Sequence, residues 1–165
     1  MRLRTARLTG TIMIALTGAA AGARDLCPAG AWVDAMVGAY HIHPDRYFDD
    51  FDPGVGGECG VKPEWTLAAG YFRNSVLRPS FYGGAIYAPE FAHSKAVRFG
   101  VIGGIISGYN FGSFGFGSQN HTGPIVAPIA MVGAGRLAAN LFLIPPIAAD
   151  HVPVTLGLQL KFGLR

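Results

Sequence analysis

Apolar and polar positions alternate without a break through residues 153–164. Val154, Leu156, Leu158, Leu160, Phe162 and Leu164 share one face, and Thr155, Gly157, Gln159 and Lys161 share the other. A period of two is the period of a β-strand. Apolar outward and polar inward is the pattern of a membrane barrel strand; a sandwich edge gives the same alternation with its apolar face turned in. Working back along the chain, similar runs predict strands at 31–42, 54–62, 65–73, 79–88, 97–109, 124–132 and 135–144. Eight is an even number, as single-chain bacterial barrels require. The lengths bracket the roughly 9–11 residues that a tilted strand needs to cross a bilayer.

The segments between the strands divide into two sets. With both termini in the periplasm, 43–53, 74–78, 110–123 and 145–152 face outside, while 62–64, 89–96 and 133–134 are inner turns. The 110–123 segment, rich in Gly, Phe and Ser, reads as a mobile loop of low complexity.

Composition strengthens the membrane reading. Half of the residues are hydrophobic, only 14% are charged, and there are 24 glycines. After residue 23 no apolar run is long enough for a membrane helix, and the other way to satisfy a backbone in lipid is a closed barrel. The start of the chain, MRLRTAR followed by LTGTIMIALTGAAA and an Ala-Gly-Ala step, reads as a secretory signal peptide ending at Ala23. The expected fold class is therefore all-β: an eight-stranded antiparallel transmembrane β-barrel of the bacterial outer membrane, formed by residues 24–165 after a cleaved signal peptide, 1–23.

Charge excludes one class of partner. Loss of the first 23 residues removes three arginines and leaves ten basic and ten acidic side chains, so no basic surface points to nucleic acid. Cys27 and Cys59 would meet an oxidising compartment, either as a disulfide or as two separate buried thiols.

Several standard chemistries lack their motifs. None of the serines sits in a G-x-S-x-G elbow, and GVGGECG opens no helix, so it is not a phosphate loop. His41, His43, Asp45, Asp49, Asp50 and Asp52 match neither a zinc nor an EF-hand spacing; they read as a solvated external loop, and no metal or cofactor is expected. What remains is placement. His41 and His43 end the first strand, and Asn74 and Ser75 follow the third; both strands run outward, so these groups reach one rim. Val33, Val37, His41 and His43 fall on one face of the first strand. If that face points inward, the bore is greasy below an imidazole rim, which would suit a lipid tail. A neutral histidine can accept a proton from an attacking hydroxyl, and a serine can attack or can donate to an oxyanion. Arg46, Arg73 and Arg78 could hold phosphates.

With these residues named, the chain resembles the lipid A palmitoyltransferase family of small outer-membrane barrels. AYH at the end of strand one resembles the family's aromatic-His step, DRY follows in the first external loop, and YFRNS resembles its Phe-Lys-Asp-Ser segment. GPIVAPIAMVGAGRLAANLFLIPP resembles its proline-flanked sixth and seventh strands, with Pro124, Pro128, Pro145 and Pro146 placed to interrupt the wall. The resemblance implies His41, Asn74 and Ser75 in the catalytic places, with His43 as an alternative imidazole. It implies acyl transfer from a phospholipid donor to lipid A by a monomer among membrane lipids, with a lumen floor within 83–86. Two departures stand out. The family's aspartate is Asn74 here, and residues 24–30 are too few for the family's amphipathic helix. Two other functions remain open: a non-enzymatic structural or adhesion barrel, which a polar or salt-bridged lumen would favour, and a lipid A deacylase.

Overall fold

The computed structural model describes residues 26–94 and 96–164; the expected signal peptide lies outside them. The chain forms β1 (Ala31–His41), β2 (Gly54–Lys62), β3 (Trp65–Arg73), β4 (Pro79–Tyr87), β5 (Val97–Ser107), β6 (Thr122–Ala134), β7 (Leu137–Ile144) and β8 (Thr155–Leu164). Each strand pairs antiparallel with the next and β8 pairs with β1, closing an eight-stranded barrel. Closure gives every strand a neighbour on each side. None of the helices among the described residues is long and apolar enough to cross a membrane.

The expected strands are present, with bounds that differ by at most two residues, and some of the shifts have a local cause. β5 stops at Ser107 because Gly108 turns the chain at φ +88°. The last inner turn sits at 135–136 rather than 133–134, where Gly135 takes φ +65°, a conformation that favours glycine. β6 begins at Thr122, before the prolines.

The outer surface is apolar. Val101, Ile105, Val126, Leu141, Leu156 and Leu160 stand out of the wall as exposed side chains. Aromatic pairs mark both ends of this belt on β3 and β4. Trp65 faces Tyr87 at 4.8 Å near one rim, and Tyr71 faces Phe81 at 4.9 Å near the other. Six residues separate the pairs, about 20 Å at strand rise, which is close to the height of an apolar band flanked by aromatic girdles.

The inner face of β1 corrects an expectation. Val33 points outward and is 42% exposed. Between Met36 and Gly38 the β1–β8 register shifts, leaving Val37 without a partner in the ladder. Such a bulge reverses the in–out parity beyond it. The residues paired with the inward positions of β8 are therefore Trp32, Asp34 and Met36 before the bulge, and Ala39 and His41 after it. His41 does face in, but Val33 does not, and Val37 sits in the bulge.

The bore has two halves. Tyr82 reaches across it: a Cβ added to Gly56 or Gly70 would collide with the Tyr82 ring, and Gln159 Nε2 donates to the phenol oxygen at 2.9 Å. On the side where the chain begins, Lys161 pairs with Glu58 and lies 4.8 Å from the Trp32 ring centre. Asn140 donates to Glu58 at 2.5 Å and to Gln159 at 2.8 Å, and Asp34 is buried without a hydrogen-bonding partner. On the other side of Tyr82 the bore is apolar. Cys27 and Cys59 are joined as a disulfide, Cα atoms 4.9 Å apart, which resolves the two alternatives in favour of the bridge and fastens the segment before β1 to β2.

An outward-facing apolar belt predicts a lipid-facing penalty. Leu160→Arg, at the middle of β8, should destabilise the barrel by about 2–4 kcal/mol in bilayers, read from the denaturant midpoint of reversible folding into vesicles. No loss of stability would mean that this face does not meet hydrocarbon.

Candidate functional site at the His41 rim

Four connections converge above the apolar half of the bore: 42–53, 74–78, 108–121 and 145–154. The first folds back against β1. Asp50 carbonyl accepts from Ala39 N at 3.0 Å, and a Cβ on Gly38 would lie 2.3 Å from that oxygen, so only glycine lets the loop approach so closely. This contact brings Asp50 to the imidazole. His41 Nδ1 lies 3.1 Å from Asp50 Oδ1, and the ring stacks on Phe48 at 4.6 Å. An ionised carboxylate only accepts, so Nδ1 carries the hydrogen. In the neutral ring, the basic lone pair is then on Nε2. That atom is buried and has no protein partner. A buried base, oriented by a carboxylate and left free, is the arrangement that general-base chemistry needs.

Ser75 joins the same rim. Its carbonyl accepts from Asp49 N at 3.1 Å, so residues 49 and 50 touch the Ser75 turn and His41 in succession. Ser75 is 4% exposed and borders an apolar cavity of about 80 Å³. The walls include Met36, Phe72, Ile106 and Phe142; Tyr82 closes it below, and Asp52, Tyr109, Ile147 and Val152 approach it from the rim. Tyr82 is the neighbour of the 83–86 window in which the floor was expected. The volume equals two or three waters at about 30 Å³ each, well below the roughly 300–1,000 Å³ of ordinary ligand pockets. A long acyl chain enters only if the lining moves apart. Tyr109 lines the same cavity as Ser75, and burial raises its phenol above the usual range, so it stays protonated.

One side of this cavity has an incomplete wall. The β6–β7 ladder runs from Ile129↔Phe142 to Ala134↔Leu137 and stops. Residues 123–128 of β6 are paired with β5 alone, and Thr122 is bridged to Phe116 of the 108–121 connection. Pro124 and Pro128, four residues apart and hence on the same edge parity, have no N–H to offer. Pro145 and Pro146 follow β7 directly. Ile125, Ala127, Phe142 and Ile144 belong both to this seam and to the cavity lining.

No family model matches the chain, and no curated protein does. Among solved structures, a de novo designed transmembrane β-barrel superposes with a TM-score of 0.56 at 16% identity, over 82% of this chain and 95% of its own. That likeness settles the fold. The chain is a transmembrane β-barrel.

In this barrel the other expected site residues have separate places. Asn74 is fully buried and is committed to the backbone. Its Nδ2 donates to Ser80 Oγ at 2.9 Å and to Gly108 carbonyl at 3.0 Å, while its Oδ1 accepts from Val76 N and Arg78 N. It shapes the turn that presents Ser75, and the partner of the imidazole is Asp50. His43 is exposed, at φ +51°. Arg73 pairs with Asp49 at 2.9 Å. Arg78 pairs with Asp150 at 3.0 Å, and Arg46 donates to the Asp150 carbonyl. Asp52, expected on a solvated loop, is 4% exposed with Oδ1 unpartnered. Its burial follows from the same fold-back that carries Asp50. Asp50, Asp52, Tyr109 and Asp150 belong to the site, although sequence reasoning gave none of them a role. The run of acids at 49, 50 and 52 beside AYH was the available signal for the first two.

Burial, and then the charges of Asp49 and Asp50, push the Asp52 carboxyl up to about 7 against the pull of Arg73. Between about pH 4 and 7 the folded protein therefore holds a proton that the unfolded chain has lost. Stability should fall as pH rises through that window, and Asp52→Asn should flatten the dependence, measured as denaturant midpoints across pH. For Asn74 the expectation is a loss on Asn74→Asp. The carboxylate cannot donate and would face Gly108 carbonyl, costing about 1–3 kcal/mol. The same denaturant series measures it; unchanged stability would remove the scaffold role.

Proposed function

We propose that this barrel is a lipid acyltransferase of the bacterial outer membrane, moving an acyl chain from a phospholipid to a hydroxyl of lipid A in the outer leaflet. The observation that carries the reading is the buried, unpartnered Nε2 of His41, backed by Asp50 and carried on β1 opposite Thr155, a lining residue of the apolar cavity whose wall is incomplete at β6–β7. The mechanism follows from these parts. The donor tail enters as the seam residues part, which brings its ester to the rim. His41 Nε2 takes the proton of the acceptor hydroxyl as the oxygen attacks the ester carbonyl. Ser75 and Tyr109 are placed to donate hydrogen bonds to the oxygen that gains charge. Collapse breaks the bond to the glycerol oxygen, which recovers the proton from His41 and leaves as a lysophospholipid. Asn74 holds the turn, and Arg46, Arg73 and Arg78 lie at headgroup height.

A second reading is a structural or adhesion barrel without chemistry. It is favoured by the salt-bridged inner half of the bore, where Lys161, Glu58, Asn140 and Gln159 fill the space, and by the outer loop, where Phe114 is 81% exposed. Mass spectrometry of lipid A separates the readings. Expression of the protein should add the mass of one acyl chain. His41→Ala should abolish the gain, Ser75→Ala should reduce it by tenfold or more, on the scale of one lost transition-state hydrogen bond, and Asp50→Asn should also lower it. An unchanged lipid A would favour the structural barrel, and a loss of mass would favour a deacylase.

A further inference from the structure

One residue, Asp150, joins all four connections at the rim. Asp150 Oδ2 accepts from Arg78 Nη1 at 3.0 Å and from Asn110 N at 2.6 Å, and the Asp150 carbonyl accepts from Arg46 Nη2. Arg46, Arg78 and Asn110 come from three different connections, and Asp150 belongs to the fourth. The residue is 7% exposed.

The segment held this way roofs the apolar cavity. Ile147 and Val152 bond each other's backbones at 3.0 and 3.2 Å, making a tight loop with Asp150 at its tip. Both side chains are buried and line the cavity. The loop also continues directly from the end of β7, where the wall is unpaired. Lifting it would therefore unroof the cavity and widen the seam together.

Beside Asp150 is a surface pocket of about 330 Å³ lined by Arg46, Arg78, Tyr47, Ser75 and Asp49. Asp49 is already paired with Arg73, so the guanidinium groups of Arg46 and Arg78 are the pocket's remaining cations. Their protein anion is Asp150: Arg78 is met by one carboxylate oxygen and Arg46 by a neutral carbonyl. A phosphate offers more charge and three acceptor oxygens, and matches guanidinium forks in pairs.

We propose that Asp150 stands in for a phosphate group, and that a phosphorylated headgroup binding between Arg46 and Arg78 displaces it and releases the 145–154 loop from the mouth of the cavity. The headgroup is thus the signal that admits its own acyl chain, and an empty rim stays shut. This rests on the lipid-binding reading above, but its test needs no acyl transfer.

The test uses the full barrel in phosphate-free detergent micelles, with dihexanoyl phosphatidate, dihexanoyl phosphatidylcholine and inorganic phosphate as probes. Backbone hydrogen exchange is read at Ile147 and Val152. Phosphatidate should speed exchange there by about tenfold or more, as a local opening does, while phosphatidylcholine, whose phosphate is masked by its choline, should do much less. Inorganic phosphate identifies the source: a response to it assigns the site to any free phosphate group, and silence assigns it to a lipid headgroup. Asp150→Asn, which removes the competing charge, should bind phosphatidate about fivefold more tightly or better and exchange fast without ligand. Arg46→Ala/Arg78→Ala should lose the binding. Equal responses to phosphatidate and phosphatidylcholine, unchanged exchange in the wild-type protein, or weaker binding by Asp150→Asn would each overturn the proposal. Exchange and binding are read without turnover, so a protein that opens but never adds mass to lipid A would defeat only the acyltransferase reading.

Discussion

A closed sheet of eight strands gives every side chain two destinations, the bilayer or a narrow bore. Backbone hydrogen bonds force the choice, because every strand is flanked by another on each side. The bore is so tight that one ring, Tyr82, crosses it and rests where Gly56 and Gly70 carry no Cβ. Everything at the rim depends on this constraint. A side chain turned inward has to be small, apolar or hydrogen-bonded, and the protein uses each option at a different depth.

The depth profile separates anchoring from chemistry. On the inner side of Tyr82, Lys161, Glu58, Asn140 and Gln159 bind one another in a network that links β2, β7 and β8 across the bore. Such a network is costly to break once its charges are buried, and it makes this half rigid. On the outer side the bore is apolar, the wall lacks part of a ladder, and the roof is a short loop held by a few charged contacts. Rigidity at one end and separable parts at the other are what a barrel needs if it is to admit a lipid tail without losing its closure.

At the rim the carboxylate that meets the imidazole comes from a different connection than expected. The amide of Asn74 cannot serve as a carboxylate, and it is spent on the turn. Asp50 supplies the carboxylate from another connection, because that loop folds onto Gly38 and carries residue 50 to the imidazole. The bulge at Val37 is the enabling step, since it restores His41 to the inner face after the strand has begun in the opposite parity. A strict alternation from Val33 onward would place His41 on the face of Val33, which points outward.

The sequence by itself determined the strand count, the positions of the strands and the apolar exterior, because period-two alternation and glycine turns are local signals. The run from Val154 to Leu164 shows this most clearly, and β2, β3 and the disulfide partners were also within reach of it. The sequence also placed His41 and Ser75 at one rim, through chain direction alone. Only the tertiary structure decided the facing of β1, because one unpaired residue reverses parity with no change in composition. It alone decided that Asp50 rather than Asn74 meets the imidazole, that Asp52 is buried, and that Asp150 gathers four connections, because such contacts join residues as far apart as 46 and 150. Their partners are chosen by how the closed wall brings loop ends together, which no local pattern encodes.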